Sequence, residues 1–221
     1  TLIVRLALGQ EPKAVTRAHA TGEVLAIEKP DAGMRPLIMH SVHRRLGLGA
    51  VAKATQLDAM AAAGVHQYGV GAKDGCIKAY HATAALIELN PEKAIMSLDV
   101  SAAHQSLDRA WMMQEVRDLC PALERPLAVW YPQGEPTTHW WRTADGKIVE
   151  IPAGNGLDQG CPLACPTYGI STARPAERAL AAMQTRDPAA QLLLFADDTQ
   201  LQTSVDNLTF AREAVSAEWA R

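Results

Sequence analysis

Three carboxylates stand where two apolar runs end. Asp99 closes the segment Met96-Ser97-Leu98-Asp99-Val100, and Asp197-Asp198 follow Leu192-Leu193-Leu194-Phe195-Ala196. Each run has the length and composition of a buried strand. An acid at the end of such a strand is costly unless something offsets its charge. A pair of divalent cations would do so, and would bring two-metal phosphoryl-transfer chemistry. That chemistry requires Asp99 to meet the tip of a strand–turn–strand over residues 191–203.

The elements that must deliver this meeting can be read from pattern. A strand over Glu23–Lys29, a turn at Lys29-Pro30-Asp31-Ala32-Gly33 and a second strand over Met34–Met39 open the chain after a helical or irregular stretch to Ala20. Pro36 places the second strand at a sheet edge. Ser41 caps a helix expected to run to Ala63, with Gly64 ending it. Further helices are expected over Cys76–Leu89, Gln105–Leu119, Leu123–Trp130 and Pro162–Met183, with Pro166 and Pro175 as boundary or kink points. Asp145-Gly146 signals a hairpin between Thr137–Arg142 and Lys147–Ile151. Asp206 is expected to cap the last helix. Strands and helices mix without strict alternation, which favours an α+β fold.

Composition sets wider bounds. The chain has 221 residues, 48% hydrophobic and 20% charged, with net charge -3. It is expected to fold rather than remain disordered. Residues 1–60 carry +3 and the remainder -6, so a weakly basic front precedes an acidic back. Cys76, Cys120, Cys161 and Cys165 lack zinc spacing and read as reduced thiols of an intracellular protein, nuclear or cytoplasmic. Cys161 and Cys165, four apart, fit one helix face. His40 and His43 form H-x2-H at a helix start, where surface or capping roles outweigh metal binding. Trp130, Trp140 and Trp141 suit core packing better than base stacking. No apolar stretch is long enough to span a membrane.

In order along the chain come Lys29 and Arg35 on a strand–turn–strand, then Asp99, then Gly154-Asn155-Gly156-Leu157-Asp158-Gln159-Gly160-Cys161-Pro162-Leu163, then Phe195-Ala196-Asp197-Asp198. This series resembles the reverse transcriptase family, its non-LTR retrotransposon branch in particular. In that family a strand-end Asp forms motif A, a G-L-x-Q-G-x-P-L loop motif B, and an aromatic-x-Asp-Asp hairpin motif C. Met34-Arg35-Pro36-Leu37-Ile38 looks like the family's fingers strand, and Gln67-Tyr68-Gly69-Val70-Gly71 like a segment that often precedes motif A.

The resemblance implies a polymerase-type palm, an antiparallel sheet with helices on one face, plus partial fingers. Residues 1–92 would form the fingers-like segment and 93–221 the palm. Asp99, Asp197 and Asp198 would be catalytic, with Asp99 and Asp197 holding two Mg²⁺ ions (or Mn²⁺) about 3.5–4 Å apart. Gly156, Gln159 and Gly160 would approach the incoming nucleotide and templating base, and Lys29 and Arg35 the triphosphate or template strand. His104 stands where the family usually has Phe or Tyr against the nucleotide's 2′ position, which implies looser exclusion of ribonucleotides or a decayed copy. The expected activity is RNA-directed DNA polymerisation, with an RNA template, a DNA primer and deoxynucleoside triphosphates as partners. The rival expectations are a catalytically inactive retroelement remnant that keeps the fold and nucleic-acid binding, and an RNA-templated RNA polymerase. A chain that begins at Thr1 and carries no thumb after motif C reads as a fragment or an excised domain.

Overall fold

The computed structural model describes residues 2–30, 33–134 and 136–220. In chain order these form α1 (Leu2–Ala7), α2 (Lys13–Ala20), β1 (Gly22–Glu28), β2 (Met34–His40), α3 (Val42–Ala54), α4 (Gln56–Ala62), α5 (Gly75–Leu89) and β3 (Lys93–Leu98). Then follow α6 (Ala103–Ser106), α7 (Arg109–Leu119), α8 (Glu124–Trp130), β4 (Thr137–Arg142), β5 (Ile148–Ala153), α9 (Ala164–Gln184), β6 (Gln191–Phe195), β7 (Asp198–Ser204) and α10 (Leu208–Trp219). The fold is α+β. It divides into two units, Thr1–Thr55 with Ala102–Ala164 and Gln56–Ser101 with Cys165–Arg221, so each unit takes two stretches of chain. The boundary expected between residues 92 and 93 lies inside the second unit.

The first unit carries a sheet of order β2-β1-β4-β5. β1 pairs antiparallel with β2 from Gly22↔His40 to Glu28↔Met34, while β1 and β4 run parallel at Glu23↔Trp140. Pro36 sits on the edge strand, where its missing N–H leaves no ladder bond unmade. The turn expected at residues 29–33 includes Asp31 and Ala32, which lie outside the described residues. Ser41 caps α3 by accepting from the Arg44 N–H at 3.3 Å. The helix expected through residue 63 breaks at Thr55, whose N–H and hydroxyl both turn back to the Val51 carbonyl at 2.9 Å. The helix expected over 105–119 is also two helices. Asp108 interrupts it and caps α7 through the Trp111 N–H at 2.8 Å, a local bond that competes with helix continuation. Met112, Val116, Leu123, Leu127 and Trp130 are buried in this unit.

The second unit carries an antiparallel sheet of order β3-β7-β6. Its register runs from Lys93↔Ser204 to Leu98↔Thr199 and from Gln191↔Gln202 to Phe195↔Asp198. Alternate residues point to opposite faces. Leu192, Leu194 and Leu201 pack with Ala176, Ala179 and Met183 of α9 and with Ala211 and Val215 of α10. Gln200 and Gln202 instead meet α5. Thr83 Oγ1 donates to Gln200 Oε1 at 2.8 Å, and Gln202 Nε2 donates to the Leu86 carbonyl at 2.8 Å. The sheet therefore has helices on both faces, not on one. α9 runs unbroken for 21 residues with Pro175 inside it. Pro166 does not bound it, because a proline in the first turn removes an N–H that has no helical partner there. Cys161 precedes α9 and shares no helix face with Cys165. All four cysteines are free thiols. Asp206 lies within a short 3-10 turn, Val205–Asn207, and caps nothing. Among the described residues no helix is long and apolar enough to cross a membrane.

Asp187 ties the ends of β3 and β7 together. Its carboxylate accepts from Lys93 Nζ at 3.0 Å, Thr203 Oγ1 at 2.8 Å, and the N–H groups of Ser204 at 2.9 Å and Ala189 at 3.1 Å. Burial alone would raise this carboxyl, but Lys93 and the other donors hold it down to about 2. A folded-state pKa below the ordinary 3.8 stabilises the fold above that value, and the contribution is lost as pH falls from 3.8 to about 2. Asp187→Asn is expected to cost about 2 kcal/mol at pH 7 in urea denaturation, with the difference from wild type vanishing at acid pH.

Candidate active site

The β3-β7-β6 sheet places the three carboxylates at one end of its strands. Asp99 follows β3 directly and Asp198 opens β7, each next to the last pair of their ladder, Leu98↔Thr199. Both line an open cleft of about 540 Å³, together with Ser97, Phe195, Gln200 and, from α5, Tyr80. Asp197 occupies the turn and is not on the cleft wall. Its charge reaches α9, where burial pushes the Tyr168 phenol up to about 12 and the charges of Asp197 and Asp99 add to the rise. Asp99 and Asp197, 98 positions apart, thus act on one side chain. Burial also raises the Cys165 thiol, with Asp197 adding to it.

The two-residue turn Ala196-Asp197 joins the pair Phe195↔Asp198. Ala196 has φ +55°, a left-handed conformation that is unfavourable for a residue with a Cβ. The segment Gln67–Val70 runs alongside. Leu194 N–H donates to the His66 carbonyl and Tyr68 N–H to the Leu194 carbonyl, both at 2.8 Å. Gln67, buried, reaches the turn itself. It was legible in sequence as part of a motif but not as a contact of the acidic turn.

Among the described residues no group of three or more His, Cys, Asp and Glu side chains closes on a point that could hold a metal. The site is therefore not a preformed cage. Its donors are of the chemical kind Mg²⁺ takes, since that ion binds through one or two carboxylates and draws its remaining oxygens from water and substrate phosphate.

The other six residues singled out in the sequence belong to the first unit. Gly156 N–H donates to the Leu107 carbonyl at 2.9 Å and Leu157 N–H to the His104 carbonyl at 2.6 Å. Gln105 Nε2 donates to Gln159 Oε1 at 3.3 Å. On the other side, Ile38 N–H of β2 donates to the Gln159 carbonyl at 2.8 Å. The structure thus brings His104, the glycine loop and β2 together. The glycines serve the protein's own backbone: a Cβ at Gly156 would overlap the Gln105 peptide, and one at Gly160 would come within 2.8 Å of the Ile38 carbonyl oxygen. Lys29 and Arg35 are exposed on the β1–β2 hairpin.

Asp158, inside that loop, is buried with two histidines and an arginine. Its Oδ2 accepts from His40 Nε2 at 2.9 Å and Arg44 at 3.0 Å, and its Oδ1 from His139 Nε2 at 3.0 Å. Arg44 also donates to the Ala20 carbonyl at 2.7 Å and lies over the Trp130 ring at 5.1 Å. Burial alone would raise the Asp158 carboxyl, but the two histidine hydrogen bonds and Arg44 hold it well below the usual carboxylate range. Burial lowers His40. That agrees with a neutral ring that donates from Nε2 and leaves a buried Nδ1 without a partner. His40 is therefore neither a surface nor a capping residue. It anchors the loop from the end of β2, which a reading of near neighbours could not reveal.

No family model matches the chain, and no curated protein does. Its fold does match solved telomerases. Apo telomerase from Candida tropicalis, truncated from its C-terminal domain, aligns with TM-score 0.62 at 14% identity over 92% of this chain and 47% of that one. Telomerase from Candida albicans in complex with a TWJ fragment of telomeric RNA aligns with TM-score 0.65 at 12% identity over 89% of this chain and 40% of that one. The chain spans less than half the length of these telomerases. The likeness shows the fold alone, which the chain shares with these telomerases.

The Asp158 cluster generates a prediction. Asp158→Ala leaves Arg44 buried and unpaired, and should cost about 3–5 kcal/mol in chemical denaturation. His40, with its pKa lowered from 6.5, contributes stability that is complete above that value and declines as pH falls below it. Wild type should lose stability between pH 7.5 and 5.5 with a steeper slope than His40→Gln. Equal slopes would contradict a neutral buried His40.

Proposed function

We propose that this chain carries the palm and fingers of an RNA-directed DNA polymerase, which extends a DNA primer 3′-hydroxyl with deoxynucleotides on an RNA template. The observation that carries the reading is the sheet end where Asp99 and Asp198 wall one cleft with Asp197 in the adjoining turn. The polymerase fold and the ordered motifs of the sequence support it. One fold neighbour is recorded with a TWJ fragment of telomeric RNA, which supports RNA as a binding partner. The motif strings favour the non-LTR retrotransposon type within that class.

Asp99 and Asp197 are the proposed holders of Mg²⁺ or Mn²⁺, which when bound supplies the charge neutralisation that phosphoryl transfer needs. Asp198, next to Asp197, adds negative charge that helps draw the cation to the sheet end. In the first unit, Gln159 offers an amide that can both donate and accept toward a base or sugar. Arg35 and Lys29 offer cations to phosphate, Arg35 through a fork that suits its oxygens. His104 presents a smaller, more polar ring than Phe or Tyr at the sugar-discriminating place.

Primer extension on an RNA template with Mg²⁺ tests the reading. Asp99→Ala and Asp197→Ala should each lower the rate about a hundredfold or more, with the fold unchanged by circular dichroism. Extension that survives Asp197→Ala would rule the mechanism out. An inactive wild type that still binds nucleic acid would make the chain a fold-keeping remnant.

A further inference from the structure

The Ala196-Asp197 turn is held in a conformation its own sequence disfavours. Left-handed backbone at a residue other than glycine persists only where the surroundings over-determine it. Here a single side chain adds to the β6–β7 pairing that closes the turn. Gln67 Oε1 accepts from the Ala196 N–H at 2.8 Å, and Gln67 Nε2 donates to the Ala196 carbonyl at 3.0 Å. The amide thus reads both polar groups of the strained residue, as a paired strand would. Gln67 Oε1 also accepts from the Gly69 N–H at 2.9 Å, which fixes the orientation of the carboxamide. Gly69 lies so close to Ala196 that a Cβ there would overlap the Ala196 nitrogen. The next residue in the turn is Asp197.

We propose that Gln67 is a positioning residue: its carboxamide clamps Ala196 from both sides and so fixes where the Asp197 carboxylate stands. The side chain touches no reacting atom in this role. Its importance follows from the tolerance of catalysis to misplacement, since shifts of about 1 Å can cost about a hundredfold in rate. No other side chain type does both jobs at this length. Glutamate can accept from the N–H but cannot donate to the carbonyl when ionised, asparagine is one methylene short, and methionine fills the space with no hydrogen bond. The consequence for turnover rests on the polymerase reading above; the clamp itself does not.

The test therefore has two readouts. Amide hydrogen exchange by NMR compares Ala196 with Leu201, a core residue of the same sheet. Gln67→Met should speed exchange at Ala196 at least tenfold and leave Leu201 within about twofold. Gln67→Glu, which keeps the acceptor, should retain most of the Ala196 protection. In primer extension, Gln67→Met should lower kcat about tenfold with the KM for deoxynucleotide unchanged, the signature of a lost transition-state placement. Unchanged Ala196 exchange in Gln67→Met overturns the proposal, as does faster exchange with unchanged kcat. Equal loss of protection at Ala196 and Leu201 in both variants also overturns it, since Gln67 would then be a general stabiliser. If the wild type extends no primer, the polymerase reading fails while Ala196 exchange still decides whether the clamp exists.

Discussion

Strand register in the three-stranded sheet is the constraint on which the acidic site depends. The pairing Leu98↔Thr199 and Phe195↔Asp198 sends Leu192, Leu194 and Leu201 into the core and leaves Asp99 and Asp198 on the cleft. A slip of one residue would reverse every side chain. It would expose the leucines and turn the acids against α9 and α10. The same apolar packing that stabilises the second unit therefore fixes the acids at the cleft mouth. Asp187 secures the far end of that register, where it receives Lys93, Thr203 and Ser204 together.

The first unit answers a different problem with a related device. The glycine loop has an anchor, and Asp158 supplies it from within the loop. Three donors from β2, α3 and β4 converge on one buried carboxylate. Removing any of them leaves charge or a polar atom stranded in the interior, so the cluster behaves as a unit. The loop is thus held by its own Asp158, while the Gln159 side chain next to it meets Gln105.

How much of this could be read from sequence depended on distance along the chain. The positions of Asp99 and Asp197 just past strand ends were legible because an acid ending an apolar run is a local signal. The β6–β7 hairpin and the edge placement of β2 were local too, through the run lengths and Pro36. The break before α7 is carried by Asp108, a capping residue inside the stretch expected as one helix. Asp206 erred the other way: its type suits a cap, but the chain takes a 3-10 turn there. His40 and Gln67 were beyond reach because their partners, Asp158 and Ala196, lie 118 and 129 residues away. Neither pairing leaves a trace in composition or period.

That both units are stitched from separated stretches has a bearing on how the chain is made. On a ribosome, β3 emerges about a hundred residues before β7, the central strand that must lie beside it. Until then its ladder groups and the apolar residues of α5 wait without a sheet to join. Long-range pairing of this kind closes slowly and leaves sticky intermediates. Cutting between residues 92 and 93 would part α5 from β6 and β7, so neither piece would inherit a finished second unit. Recombinant pieces of this protein should respect the interleaving rather than the linear order of its motifs.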